Sequence, residues 1–223
     1  MVSAVIVAAG SGTRMGADKL FLEVAGLPIV GHTWQRFDAH PAIDEVVLVI
    51  RENSRAEFEA LAKRLPLRKP FCFVGGGYER RDSVSNGLGA VHADCELVAI
   101  QDGARPCTPN EAITTTISAA KAGGAAVTAS KVVDTIKEAD GAGMIARNVD
   151  RTHLWAVQTP QIFMADVLRK AMAAVRAQDA DITDDTSACE LIGQPVTLVD
   201  CGAPNPKVTT AGDLLLVEML LRQ

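Results

Sequence analysis

Apolar residues along this chain come in short runs, and between the runs they recur at helical spacing. The runs at 5–9, 45–50, 71–74, 96–100 and 125–129 are rich in Val and Ile and predict buried strands. Segments 29–37, 54–65, 83–92 and 109–122 predict the helices between them. The helix over 54–65 begins at a serine cap and carries Phe58, Leu61 and Leu65 on one face. Strand–helix alternation with strands this apolar predicts an α/β fold, a doubly wound, mostly parallel sheet covered on both faces. In such a sheet, ligands bind outside the carboxyl ends of the strands.

Residues 131–154 break the rhythm. Two arms with few apolar residues flank Ala139-Asp-Gly-Ala-Gly143, a pattern that predicts a β-hairpin with a glycine-rich turn. A lone hairpin is marginal in water, so it must lean either on its own sheet or on a second subunit, and a homodimer is the expectation. The chain then returns to the main body with a strand at 155–157, a helix at 165–177 and a polar-then-helical segment at 181–192. A strand at 195–200 and a Leu-rich helix at 211–222 close it. The expected organisation is one domain over 1–223 with the 131–154 arm inserted within it.

The first strand runs straight into glycines at 10, 12 and 16, with Arg14 among them and Lys19 just beyond. Glycines leave backbone N–H groups unhindered, and cations beside them supply point charges, which together suit a polyphosphate. The spacing G-x-G-x-x-x-G is one residue longer than the dinucleotide fingerprint, and no acidic residue stands about 20 positions later, so an NAD site is excluded. The Walker A spacing is absent too. A tight strand-to-helix turn with a solvated arginine satisfies the same residues.

Composition narrows the partners. The 223 residues carry a net charge of −5 with six Phe, one Tyr and two Trp, which is not the basic, aromatic surface of a nucleic-acid binder. Five cysteines without a C-x-x-C pair read as reduced, mostly buried thiols. No apolar run is long enough to span a bilayer and no presequence pattern opens the chain, so a soluble cytoplasmic protein is expected, with no membrane partner. That length buries on the order of 70–75% of the unfolded surface, so no disulfide or metal is needed for stability.

Four further segments follow strand ends or lie near them. Gly75-Gly-Gly-Tyr-Glu-Arg-Arg-Asp-Ser83 lets a backbone approach a flat ligand. Gln101-Asp-Gly-Ala-Arg-Pro106 brings a carboxylate and a guanidinium near the first loop; Asp102 suits a Mg²⁺ that bridges phosphates, although a local ion pair with Arg105 is the commoner fate. Ile182-Thr-Asp-Asp-Thr-Ser187 reads first as a helix cap. Asn205-Pro-Lys-Val-Thr-Thr210 holds Lys207 ahead of the last helix. The histidines at 32, 40, 92 and 153 show no ligand spacing, and no nucleophilic triad is visible.

Taken in order, Ala8-Ala-Gly-Ser-Gly-Thr-Arg-Met-Gly16, Gly76-Gly-x-Glu-Arg-x-Asp-Ser83, Asp102-x-Ala-Arg-Pro106, Val149-Asp-Arg-x-x-Leu-Trp155, Gln158-Thr-Pro-Gln-x-Phe163, Ile182-Thr-Asp184 and Lys207-Val-Thr209 form one series. That series resembles the 2-C-methyl-D-erythritol 4-phosphate cytidylyltransferases of the non-mevalonate isoprenoid pathway, over essentially the whole chain. The resemblance implies the nucleotidyltransferase variant of the doubly wound fold, a Mg²⁺-dependent transfer of CMP from CTP to the methylerythritol phosphate, and a homodimer whose arms exchange contacts. It implies that Ala8, Ala9, Gly10 and Gly12 line the CTP site, that Gly77 and Ser83 recognise the cytosine, and that Asp102 and Gly103 lie by the ribose and phosphates. Arg14, Lys19, Arg151 and Lys207 are implied as the catalytic cations. Thr135, Arg151, Thr159, Thr183 and Lys207 are implied to hold the sugar phosphate, with Thr135 and Arg151 supplied by the partner subunit.

The chain departs from the family pattern twice. It reads Asp18-Lys-Leu-Phe21 where the family usually has Pro-Lys-Gln, and Asp102-Gly-Ala-Arg105 where Asp-Ala-Ala-Arg is common; these should weaken the grip of Lys19 and loosen the ribose contact. Two other readings stay open: a cytidylyltransferase for another polyol phosphate such as ribitol 5-phosphate, and a domain that senses CTP without reacting.

Overall fold

The computed structural model describes residues 1–10 and 18–222. Gly12 and Arg14, two of the residues singled out in the first loop, lie outside the described residues. The strands of the main sheet are β1 (Val2–Ala8), β4 (Glu45–Ile50), β5 (Phe71–Gly75), β6 (Leu97–Asp102), β7 (Ala125–Lys131), β10 (Trp155–Met164) and β11 (Thr197–Asp200). The short pairs β2 (Glu23–Val24) with β3 (Leu27–Pro28) and β8 (Ile136–Ala139) with β9 (Ile145–Val149) complete the set. The helices are α1 (Ile29–Ala39), α2 (Arg55–Arg64), α3 (Arg80–Ala90), α4 (Asn110–Gly123), α5 (Ala165–Gln178), α6 (Asp185–Glu190) and α7 (Gly212–Leu221).

The main sheet has seven strands in the order β11-β7-β10-β6-β1-β4-β5. Neighbours run parallel except at β10, which is antiparallel to both β6 and β7. Alternate residues of β1 point to opposite faces. Ala4, Ile6 and Ala8 pack with Trp34 and Phe37 of α1, Phe58 and Leu61 of α2, and Ile113 and Ile117 of α4. Val5 packs on the other face with Val84 and Leu88 of α3 and with Leu168, Met172 and Val175 of α5. The strands are therefore apolar on both sides because both sides are covered.

Three boundaries differ from the sequence reading by three residues or more. β10 is ten residues long rather than three, and its pairing register to β7 shifts between Val157 and Gln161, around the cis Thr159–Pro160 peptide. A proline and two glutamines masked that strand from a periodicity argument. α3 begins at Arg80, not at 83, because Glu79 and Asp82 form a reciprocal capping box that ties up the first backbone donors. β1 begins at Val2 because Ser3, though polar, is buried and donates to Glu45 Oε1 at 2.5 Å.

Residues 131–154 form the expected hairpin. Its turn is closed by Asp140 Oδ1, which accepts from the N–H groups of Ala142 and Met144 at 2.9 Å, with Gly143 at φ +80°. The two strands make a sheet of their own, and Val133, Met144 and Ile145 are 77, 67 and 68% exposed. Among the described residues, β8 and β9 pair with each other and not with the main sheet. Four of the five cysteines are buried, and burial pushes the Cys107 thiol up to about 11 and Cys189 to about 12, so these behave as small apolar residues. Cys72, on the edge strand β5, is exposed. Among the described residues, no helix is long and apolar enough to cross a membrane.

Candidate active site

β1 and β6 are adjacent and parallel, with Val7 paired to Asp102, so their carboxyl ends open on the same side of the sheet. The chain leaves β1 at Ala9-Gly10 and leaves β6 at Gly103, whose N–H donates to Val7 O at 3.0 Å. β5 ends beside them at Gly75, and Gly76 N–H donates to Ile50 O at 2.8 Å. A Cβ on Gly76 would collide with the Cβ of Ala9, and one on Gly77 would collide with Asp82. The glycines are needed first for this close approach of two loops. The bare surface they leave towards a ligand follows from it.

These strand ends and the start of α3 enclose a cavity of about 220 Å³. Its walls include Ala9, Gly10, Lys19, Gly77, Arg80, Ser83, Asp102, Gly103 and Lys207. Ser83 is buried, and its Oγ accepts the Gly77 N–H at 3.1 Å, which fixes the rim of the glycine loop. Ala8, expected to line the nucleotide site, is not among the residues lining this cavity and is buried in the core. A second cavity of about 300 Å³ adjoins it, lined by Arg105, Val157, Gln158, Thr159, Gln161, Thr183 and Asp184. Arg80, Asp102 and Lys207 belong to both.

Electrostatics concentrate on that shared wall. Asp102 Oδ2 receives Lys207 Nζ at 3.0 Å and Arg105 Nε at 3.2 Å. Burial pushes this carboxyl up, but Lys207, then Arg105 and Arg80, outweigh it and hold it below the usual carboxylate value. The Asp102–Arg105 ion pair foreseen as the bland alternative is present, yet both residues also face a cavity. Arg80 is anchored from behind by Asp185, its Nη2 2.8 Å from Oδ2 of that fully buried carboxylate. Burial raises the Asp185 carboxyl, with Arg80 opposing the rise.

Asp184 does what its sequence context suggested. It caps α6 by accepting from Ser187 N–H at 3.0 Å, and Gln161 Nε2 donates to its other oxygen at 3.0 Å. Thr183 beside it contributes to the second cavity, as does Thr159, whose Oγ1 accepts the Asp102 N–H at 3.1 Å.

Lys19 lies on a single turn of 3-10 helix at Lys19–Phe21, and its Nζ donates to Val208 O at 3.0 Å. The neighbouring Asp18 is engaged elsewhere: its carboxylate pairs with Arg51 and accepts Leu20 N–H. Gly103 is held at both backbone groups, since its carbonyl accepts from Thr33 Oγ1 at 2.9 Å. The two sequence departures therefore sit in restrained surroundings.

Thr135 and Arg151 are not brought to either cavity. They lie together on the arm in a separate hollow of about 160 Å³ with Ile136, Asn148, Val149 and Asp150. Three other residues of the shared site, Arg80, Gln158 and Gln161, stood inside quoted motifs without a role. Glu79-Arg80 next to a glycine loop was the available signal for the first, and the pair of glutamines around Pro160 for the others.

As to a metal, no group of three or more His, Cys, Asp or Glu side chains is arranged as a metal cage among the described residues. Asp102, ionised and bonded by both cations through Oδ2, fits the one-carboxylate role of an ion otherwise held by phosphates.

The chain can be set against known proteins on this footing. The sequence profile of the 2-C-methyl-D-erythritol 4-phosphate cytidylyltransferases (IspD) matches residues 2–223. A protein of that description from Pelotomaculum thermopropionicum is 41% identical over 99% of this chain and 94% of its own length. One from Bacillus cereus is 40% identical over 99 and 98%. Among solved structures, a 4-diphosphocytidyl-2C-methyl-D-erythritol synthase from Anaerococcus prevotii superposes with a TM-score of 0.88 at 29% identity, covering 100% of this chain and 96% of that one. The Thermus thermophilus 2-C-methyl-D-erythritol 4-phosphate cytidylyltransferase superposes with a TM-score of 0.82 at 31% identity over the full length of both. With the profile, the close relatives and the fold all in agreement, this chain belongs to the 2-C-methyl-D-erythritol 4-phosphate cytidylyltransferase family.

Proposed function

We propose that the two adjoining cavities divide the family's reaction between them, CTP in the glycine-rimmed one and 2-C-methyl-D-erythritol 4-phosphate in the other. The chain is a nucleotidyltransferase of non-mevalonate isoprenoid biosynthesis. The observation that carries the division is the shared wall: Arg80, Asp102 and Lys207 face both cavities, so they stand where two substrates would meet. An oxygen of the sugar phosphate attacks the α-phosphorus of CTP in line, forming a new P–O bond as the bond to the β-phosphate oxygen breaks and pyrophosphate leaves. Such chemistry rests on positioning and charge stabilisation, and needs no covalent nucleophile.

Ala9, Gly10, Gly12 and Gly103 shape the bed for the nucleotide, and Gly77 with Ser83 reads the base. Arg14 and Lys19 neutralise charge on the triphosphate. Lys207, with Thr159 and Thr183, orients the attacking phosphate. Asp102 would hold a Mg²⁺, which would supply neutralisation of the phosphates' charge. Thr135 and Arg151 complete the sugar-phosphate site of a partner subunit, because on their own chain they stand apart from both cavities on a solvent-exposed arm. The protein on this reading is a cytoplasmic homodimer assembled through residues 131–154, each chain a single domain over 1–223 with that arm inserted.

The test is pyrophosphate release from CTP and Mg²⁺ with methylerythritol 4-phosphate and ribitol 5-phosphate in parallel. Release with the first alone is expected. Release with the second alone would keep the mechanism and replace the substrate. Silence with both, while CTP still binds, would make the protein a CTP sensor.

A further inference from the structure

The segment Asn205–Val208 touches every described cation of the site except Arg80. Lys207 belongs to it, Arg105 Nη1 donates to Asn205 O at 2.7 Å, and Lys19 Nζ donates to Val208 O at 3.0 Å. At its far end Val208 is buried and its N–H donates to Ala104 O at 2.9 Å. At its near end the restraint is a side chain. Asn205 is 4% exposed and lies behind the cavity walls.

The Asn205 amide is fully engaged, its nitrogen by two residues of the second cavity and its oxygen by Thr108. Its Nδ2 donates to Gln158 Oε1 at 3.1 Å and to Thr159 O at 2.9 Å, and its Oδ1 accepts from Thr108 Oγ1 at 3.1 Å. Thr108 is itself buried and accepts from Gln101 Nε2 at 2.9 Å, on the strand that ends in Asp102. Thr159, bonded to Asn205 through its carbonyl, uses its hydroxyl to hold the Asp102 N–H. One amide thus connects the carboxylate, its two cations and the bend of β10.

We infer that Asn205 is the positioning residue of this site, setting Lys207 and Arg105 against Asp102 through the Thr159 carbonyl and the Gln158 amide. The inference rests on the proposed division of the cavities. Truncation at Asn205 removes the donor from Gln158 Oε1 and from the Thr159 carbonyl and leaves the Thr108 hydroxyl only the Arg105 carbonyl, and the near end of the loop between Asn205 and Val208 is then held through the Asn205 carbonyl and Arg105 alone. Its Nδ2 bonds run to residues of the sugar-phosphate cavity and none of its bonds runs to a residue that lines only the nucleotide cavity, so the loss falls mainly on the second substrate.

The experiment is steady-state kinetics of Asn205→Ala and the milder Asn205→Ser, each against wild type, with CTP and methylerythritol 4-phosphate varied in turn and thermal melting in parallel. The expected result is a rise of roughly tenfold or more in KM for the sugar phosphate, with KM for CTP within about threefold, the signature of a displaced positioning group. Thr108→Val, which removes the hydroxyl from Asn205 Oδ1, should move the same constant in the same direction by less. If a variant that melts cooperatively keeps both KM values and loses only total activity in proportion to the folded fraction, the role is structural and the inference falls. If Asn205→Ala does not fold, Asn205→Ser and Thr108→Val are read by the same criterion. Wild type that releases no pyrophosphate with methylerythritol phosphate would overturn the division of the cavities and this inference with it, whereas active wild type with unmoved variants overturns the inference alone.

Discussion

The shared wall of the two cavities and the arm at 131–154 both carry residues proposed for the same reaction, but they are built in opposite ways. Asp102, Arg105 and Lys207 are fixed by partners from β6, β10 and the segment before α7, over distances in sequence of up to about a hundred residues. Thr135 and Arg151 flank a two-stranded ribbon, β8 with β9, that extends beyond the end of the β7–β10 ladder at Trp155 and Lys131 and leaves large apolar side chains exposed. The first region is complete within one chain. The second has apolar surface to bury, and among the described residues nothing of its own chain covers it.

Removing Lys207 should do most damage. Lys207→Ala takes away a cation proposed to hold substrate and the leading partner of Asp102, and kcat/KM should fall by about 10²–10³, by analogy with loss of one preorganised donor. The pH profile of the residual activity gives the sign. Lys207, Arg105 and Arg80 hold the Asp102 pKa down, so without Lys207 it rises and the acid limb of activity should move to higher pH. An unmoved limb would detach Asp102 from the reaction.

The comparison breaks most directly at Arg151. Arg151→Ala should raise KM for the sugar phosphate by roughly 10–100-fold while CTP binding holds. If arm and wall come from different subunits, mixing Arg151→Ala with Lys207→Ala chains should recover about a quarter of wild-type activity after random exchange, because half of the dimers would carry one intact site. No recovery, with exchange verified by mass, would place both residues in one chain's site.

Smaller effects test whether the wall is as rigid as its bonds suggest. Asp184→Ala removes the α6 cap and a partner of Gln161, and should lower unfolding free energy by about 1–2 kcal/mol in denaturant titrations. The last effect is confined to acid. Hydrogen bonds from the Thr209 and Thr210 N–H groups lower the Asp213 carboxyl to about 2 from 3.8. A depressed carboxyl stabilises above its unfolded value and loses that contribution as pH falls through its folded one. Asp213→Asn should therefore be less stable than wild type at neutral pH, with the difference shrinking between about pH 4 and pH 2. A difference constant across that window would refute the assignment.

Much of this was legible in the chain order alone. Val and Ile runs named the parallel strands because those strands are buried on both faces, and Asp140 with Gly143 announced the hairpin turn. Gly76 and Gly77 were readable as a loop whose backbone a flat ligand could approach, although their necessity comes from Ala9 and Asp82. The antiparallel β10 was not legible past Val157. Its polar residues are paid for by partners distant in sequence, Asn205 for Gln158 and α6 for Gln161.

The sequence by itself determined which elements form, where their glycine loops fall and which charged residues those loops carry, since local propensity and burial pattern act within a few residues. Only the tertiary structure decided which of those charges meet. Asp102 became the shared carboxylate, Asp184 a cap and Asp18 a partner of Arg51 because the sheet order places β6 between β1 and β10 and brings the segment before α7 across their ends. Charge–charge distances in a fold are set by strand order and packing, and neither is written in the spacing of the residues that use them.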